Sequence, residues 1–141
     1  MSPPEDAPAL RRFMLDTNII SHIMQGLDAV LLQRLSALPV GDVVMSSVTL
    51  AELEYGLQRK GNPPRLKNAM EQVLLRVDVL SWDEPVARCY GELCAALEAK
   101  GIDLGGMDMM IAAHAVTVGA TLVSRDTAFA RAAQRLRVEV W

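Results

Sequence analysis

The sequence predicts an α/β domain: a mainly parallel sheet of about four to five strands with helices on both faces. Two observations carry that expectation. Short apolar runs rich in β-branched residues recur along the chain, and stretches with helical spacing separate them. Strand alternating with helix is the pattern of a parallel sheet whose crossover helices cover it, with right-handed connections. The 141 residues suit one domain, and 51% apolar residues suffice for a core.

Taken in order, residues 1–9 are rich in proline and read as a loose lead-in, with one domain over residues 10–141. Phe13–Leu15 reads as the first strand. Asn18–Met24 is a short helix stopped by Gly26. Asp28–Leu38 places Leu31, Leu32, Leu35 and Leu38 at helical spacing, and Pro39 and Gly41 end it. Val43–Val48 is a β-branched strand. Thr49–Lys60 is a helix closed by the Gly61-Asn62-Pro63-Pro64 turn, and Arg65–Leu75 is the next. Val77–Trp82 alternates apolar and polar residues as a strand does. Asp83–Lys100 is a long helix with Asp83 as N-cap, Pro85 in the first turn and Gly101 as stop. Met107–Val118 is an apolar helix ended by Gly119. Thr121–Ser124 is a strand, Thr127–Arg135 a helix and Val138–Trp141 a closing strand.

Composition narrows the function classes. The longest apolar stretch, Met109–Val118, is interrupted by His114 and Thr117 and is too short for a membrane helix. The N-terminus lacks the basic start and apolar run of a secretory signal, so a cytoplasmic location is expected. Cys89 and Cys94 form no CxxC and read as structural thiols. The net charge of −3 argues against a protein that grips nucleic acid along its backbone, less so for one whose carboxylates hold cations. Basic residues gather at Arg59, Lys60, Arg65 and Lys67 and again at Arg131, Arg135 and Arg137. Each group reads either as a phosphate-contacting rim or as solvated surface.

Four acids stand in apolar neighbourhoods at the ends of predicted elements: Asp16, Glu52, Asp108 and Asp126. A lone carboxylate in such a place is costly unless it is paired or holds a metal. Ligands in parallel sheets bind beyond the carboxyl ends of the strands, and Asp16, Glu52 and Asp126 each follow a strand. Asp108 joins them if its helix points its N-terminus to the same rim. Together they form a set of hard oxygen ligands suited to Mg2+ or Mn2+, the chemistry of metal-assisted phosphodiester cleavage. Each acid also has a plain reading as a helix cap or first-turn residue. For Glu52 that reading is a capping box with Thr49. His114 reads as a packed or partly exposed helix residue and His22 as surface, since no HExxH is present. Gly105-Gly106 reads as a joint that lets the Asp108 helix start close to the sheet.

The stretches MLDTNIIS, SSVTLAELEYG, GMDMMIAAHAVTVGATLVSRD and LRVEVW, in this order from about Phe13 to Trp141, resemble PIN-domain ribonucleases. The likeness is to the VapC-type toxins of type II toxin–antitoxin pairs. It implies a PIN-like three-layer α/β/α fold and a metal-dependent endoribonuclease acting on RNA. It implies that Asp16, Glu52, Asp108 and Asp126 bind one or two divalent ions; we expect Asp16 and Asp108 to be the direct ligands. Asn18 and Ser124 would orient these ligands. It further implies a homodimer and a cognate antitoxin that occludes the site; a basic side chain from that partner would suit the acidic pocket. Asp103 departs from the family pattern and adds a charge before the paired glycines. Other readings are a haloacid-dehalogenase-like phosphatase, a receiver module, or a PIN fold that binds partners without catalysis. The DTN opening lacks the second Asp of the phosphatase motif and the acidic pair of a receiver.

Overall fold

The computed structural model describes residues 11–141; the expected lead-in lies outside the described residues. Five parallel strands form one sheet: β1 (Phe13–Leu15), β2 (Val43–Ser46), β3 (Asp78–Leu80), β4 (Thr121–Val123) and β5 (Val138–Glu139). Their order is β3-β2-β1-β4-β5. β1 therefore lies at the centre, with Phe13 opposite Val43 on one side and Thr121 on the other. Among the described residues, six α-helices connect the strands: α1 (Thr17–Gln25), α2 (Ala29–Ala37), α3 (Ser47–Arg59), α4 (Pro64–Arg76), α5 (Glu84–Glu98) and α6 (Gly106–Val118). A 3₁₀ helix, Thr127–Ala132, precedes β5.

The period of two along each central strand divides the core into two layers. Met14, Val44 and Leu122 point to the layer of α5 and α6, where they meet Leu93, Leu97, Ile111 and Phe129. Leu15, Val43, Met45 and Val123 point the other way, to Ile19, Ile20, Leu31 and Met70. Burying each such side chain contributes about 1.5–3 kcal/mol, so three-residue strands are held by their faces rather than by their length. The expected three-layer α/β/α architecture is the one observed.

Helix ends follow the expected punctuation. Asp28 and Asp83 cap α2 and α5 through their side chains. Gly119, at φ 68°, ends α6 in the left-handed region and turns the chain into β4. Several boundaries differ. The strand expected over Val43–Val48 stops at Ser46, because the Ser46 hydroxyl accepts from the Val48 N–H at 3.1 Å and starts α3. Thr49 therefore lies inside the helix, and the Thr49–Glu52 capping box does not form. β3 and β5 are shorter than expected, at three and two residues. The helix expected over Thr127–Arg135 is a 3₁₀ helix ending at Ala132.

Candidate active site

The carboxyl ends of β1, β2 and β4 make one rim, and the topology delivers the acids to it. Asp16 directly follows β1 and is buried. Its backbone N–H donates to the Val123 carbonyl at 3.1 Å, which locks the strand end against β4. Its Oδ1 accepts from the Ile19 N–H at 2.9 Å, so it does cap α1. A carboxylate has about four acceptor positions, and capping leaves the rest available. Ser124, fully buried at the end of β4, places its hydroxyl against the Asp16 carboxylate. The same hydroxyl accepts from the Asp126 N–H at 3.0 Å. One side chain thus fixes two acids.

Glu52 comes to the rim from α3, half-buried, and Oε1 accepts from the Thr17 hydroxyl at 2.7 Å. That bond spans 35 residues and is the contact that replaces the expected capping box. Thr17 is thus the residue that holds Glu52. Asp126 is exposed and caps the 3₁₀ helix, its Oδ1 accepting from the Ala128 N–H at 2.9 Å. Asp108 sits half-buried in the first turn of α6. Gly105 precedes that helix at φ 85°, a conformation that favours glycine. The Asp103 carboxylate accepts from the Gly105 N–H at 2.8 Å, so the charge that departed from the family pattern shapes the approach to α6.

Electrostatics tie the acids together. Burial raises the Asp16 carboxyl above its ordinary value, and Ser124 and the Ile19 N–H draw it part of the way back. The charges of Asp126 and Glu52 push it up again. Asp108 is raised first by burial and then by Asp126, Glu52 and Asp16. The four carboxylates therefore feel one another across the rim. They do not yet form a cage: among the described residues, no three His, Cys, Asp or Glu side chains stand together as a ready ligand cluster. Carboxylates that share a field repel one another. The donor set, all hard oxygen, fits Mg2+ or Mn2+ by type.

Other residues singled out in the sequence lie as follows. Asn18 is exposed at the start of α1, and its carbonyl meets a ring nitrogen of His22 at 2.8 Å. His114 is buried, with Nδ1 2.7 Å from the Ser46 hydroxyl, and burial lowers its pKa. Two of the three C-terminal arginines bond backbone carbonyls: Arg131 to Asp103 and Arg137 to Gly119. The two cysteines are free thiols.

The profile of the PIN domain matches residues 13–135. The chain belongs to the PIN-domain family. This PIN domain is 36% identical over 130 residues to the tRNA(fMet)-specific endonuclease VapC of Shigella flexneri, covering 92% of this chain and 98% of the relative. It is 33% identical to Ribonuclease VapC2 of Haemophilus influenzae over the same shares. Among solved structures it superposes on VapBC of Salmonella typhimurium bound to DNA with a TM-score of 0.84 at 32% identity, covering 93% and 98% of the two chains. For VapBC2 of Rickettsia felis bound to a promoter DNA fragment, the TM-score is 0.83 at 30% identity, covering 92% and 98%. These matches favour the PIN reading of the LDTN opening over a phosphatase or a receiver.

Proposed function

We propose that this PIN domain is a metal-dependent endoribonuclease, the toxin of a type II toxin–antitoxin pair, hydrolysing RNA phosphodiester bonds at its acidic rim. The observation that carries the reading is that Asp16 and Asp126 beyond β1 and β4, Glu52 on α3 after β2 and Asp108 at the start of α6 act on one another's charge. Likeness to proteins named ribonuclease VapC supports it.

Asp16 and Asp108 would hold Mg2+ or Mn2+ directly, and Glu52 and Asp126 would complete the set. When bound, such a cation supplies the positive charge that activates water and offsets charge on phosphate oxygens. The chain's own residues do the positioning. Ser124 fixes Asp16 and the Asp126 backbone; Thr17 aims Glu52. Burial and mutual repulsion raise the Asp16 and Asp108 carboxyls above their ordinary values, so cation capture, which needs them ionised, should strengthen as pH rises.

The solved VapBC complexes support a cognate antitoxin as partner. An acidic rim draws in a basic side chain, and such a group would compete with the cation. The functional unit in this reading is a homodimer, testable by light scattering. The deciding experiment measures RNA cleavage by the purified protein with Mn2+, beginning with initiator tRNA, the substrate for which the Shigella relative is named. Asp16→Asn and Asp108→Asn should each abolish cleavage while circular dichroism shows a retained fold. Cation-dependent cleavage surviving in either variant refutes the assignment of the rim.

A further inference from the structure

A narrow cleft opens beside the acidic rim, between α1 and α3. Its volume is ≈ 120 Å3, room for several water molecules or one planar ring. Thr17 and Glu52 belong to both the cleft and the rim, so the two are continuous. On the α1 side Asn18, Ser21 and Gln25 line it with amide and hydroxyl groups; Lys60 lines it from the end of α3. The Gln25 amide nitrogen donates to the Ser21 hydroxyl oxygen at 3.0 Å. That bond fixes both side chains and leaves the Gln25 carbonyl and the Ser21 hydroxyl hydrogen with capacity for another partner.

Gly56 is the second, independent observation. It lies one turn beyond Glu52, inside α3. A glycine there weakens a helix relative to alanine. Nothing in the fold asks for it: its φ is not in the left-handed region, and a Cβ built on it meets no atom within 4 Å. What the missing side chain does is leave part of the cleft wall as bare backbone. Gly91, inside α5, has equally open surroundings and lines no part of the cleft.

We propose that the cleft between α1 and α3 is a nucleoside subsite, seating one base of the RNA next to the phosphate cut at the rim, with Gly56 admitting the base. The proposal rests on the ribonuclease reading. Chemistry favours a base over a peptide segment. Asn and Gln amides match the donor and acceptor edges of an unstacked base. Lys60 offers an ammonium to the adjoining phosphate, whereas a cationic peptide drawn in by the acids gains nothing from it. The cleft also has room for one ring rather than for a helix.

Two measurements test this. The first takes kcat and KM for a single-stranded RNA oligonucleotide with Mn2+, together with thermal melting, for Gly56→Ala, Gly56→Val and Gly91→Ala. Gly56→Ala should melt at or above the wild-type temperature, and both Gly56 variants should raise KM about tenfold with kcat nearly unchanged. Gly91→Ala should leave KM unchanged. A structural role for Gly56 would lower the melting temperature as substrate binding weakens, so a more stable protein with weaker substrate binding is the distinguishing signature. Wild-type KM in Gly56→Val overturns the proposal. So does an unaltered KM accompanied by lost inhibition by an antitoxin, which would assign the cleft to a peptide. The second titrates the four ribonucleosides into the cation-free protein and reads the backbone amide resonances of Ser21, Gln25 and Gly56. At least one nucleoside should shift them in the wild type and fail to in Gly56→Val. No shift with any of the four overturns the subsite even if RNA is cut; a shift without RNA cleavage supports the subsite and sinks the ribonuclease reading alone.

Discussion

Replacing Ser46 by alanine should destabilise the domain far more than the loss of one hydroxyl suggests. Ser46 is fully buried at the junction of β2 and α3. Its oxygen caps α3 by accepting from Val48, and it stands 2.7 Å from the buried His114 of α6. Losing a helix cap costs about 1 kcal/mol. Leaving the imidazole nitrogen buried without a partner costs a further ~1–3 kcal/mol. The total is roughly 2–4 kcal/mol. At this chain length that lowers the melting temperature by roughly 6–12 °C. Thermal unfolding followed by circular dichroism at neutral pH reads it directly. A double-mutant cycle then isolates the pair. In the Ser46→Ala/His114→Ala protein no orphaned nitrogen remains, so its loss should fall short of the two single losses together by ~1–3 kcal/mol. Strict additivity, or a Ser46→Ala protein that melts within about 2 °C of wild type, refutes the coupling. The coupling matters for the site because α3 carries Glu52 and α6 carries Asp108, and this one bond ties the two helices beneath the rim.

Thr17→Val keeps the shape of the side chain and removes the hydroxyl that aims Glu52. Cleavage should slow by roughly ten- to a hundredfold while melting stays close to wild type, as loss of a ligand's supporting partner typically does; an unchanged rate sinks the positioning role. The acids predict a pH dependence for the cation-free protein. Asp108 is raised from its ordinary 3.8 by burial and by its neighbours, so its contribution to stability is present below about 3.8 and is lost as pH climbs through the raised value. In EDTA at neutral pH, Asp108→Asn should therefore melt above the wild type, with the gap closing toward pH ~4. Added Mn2+ should stabilise the wild type and not the variant. Equal melting of the two proteins across that range counts against the shared field.

Much of this was legible from the chain. Alternation of β-branched runs with helical spacing is a local signal, and it located all five strands and the three-layer arrangement. The acids were found because a carboxylate among apolar neighbours is costly and therefore informative. Boundaries were harder. Val48 is as β-branched as Val43 and Val44, so periodicity cannot see that β2 stops at Ser46; the hydroxyl of Ser46 decides it. The 3₁₀ helix after Asp126 holds three alanines in six residues, which suits α-helix by propensity, and yet the turn is set by packing of Phe129 and Ala132. Partners across the chain were out of reach. Thr17 with Glu52, Ser124 with Asp16, and Ser46 with His114 are tertiary contacts between elements that no spacing rule joins. One signal for His114 was available: α6 is apolar all round, and such a helix is enclosed on every side. A histidine within it had to find a partner indoors. Gly56 also left a trace, since a glycine within a helix calls for a reason.

The first strand occupies the middle of the sheet, and one of its two neighbours arrives only with Thr121–Val123. During synthesis, Asp16 emerges about a hundred residues before Ser124 and Asp126 can join it. The acidic rim therefore stays unassembled until β4 has emerged and paired with β1. Late closure of a long-range pairing slows folding, and under the ribonuclease reading it would also leave time for a neutralising partner to bind before the rim is complete.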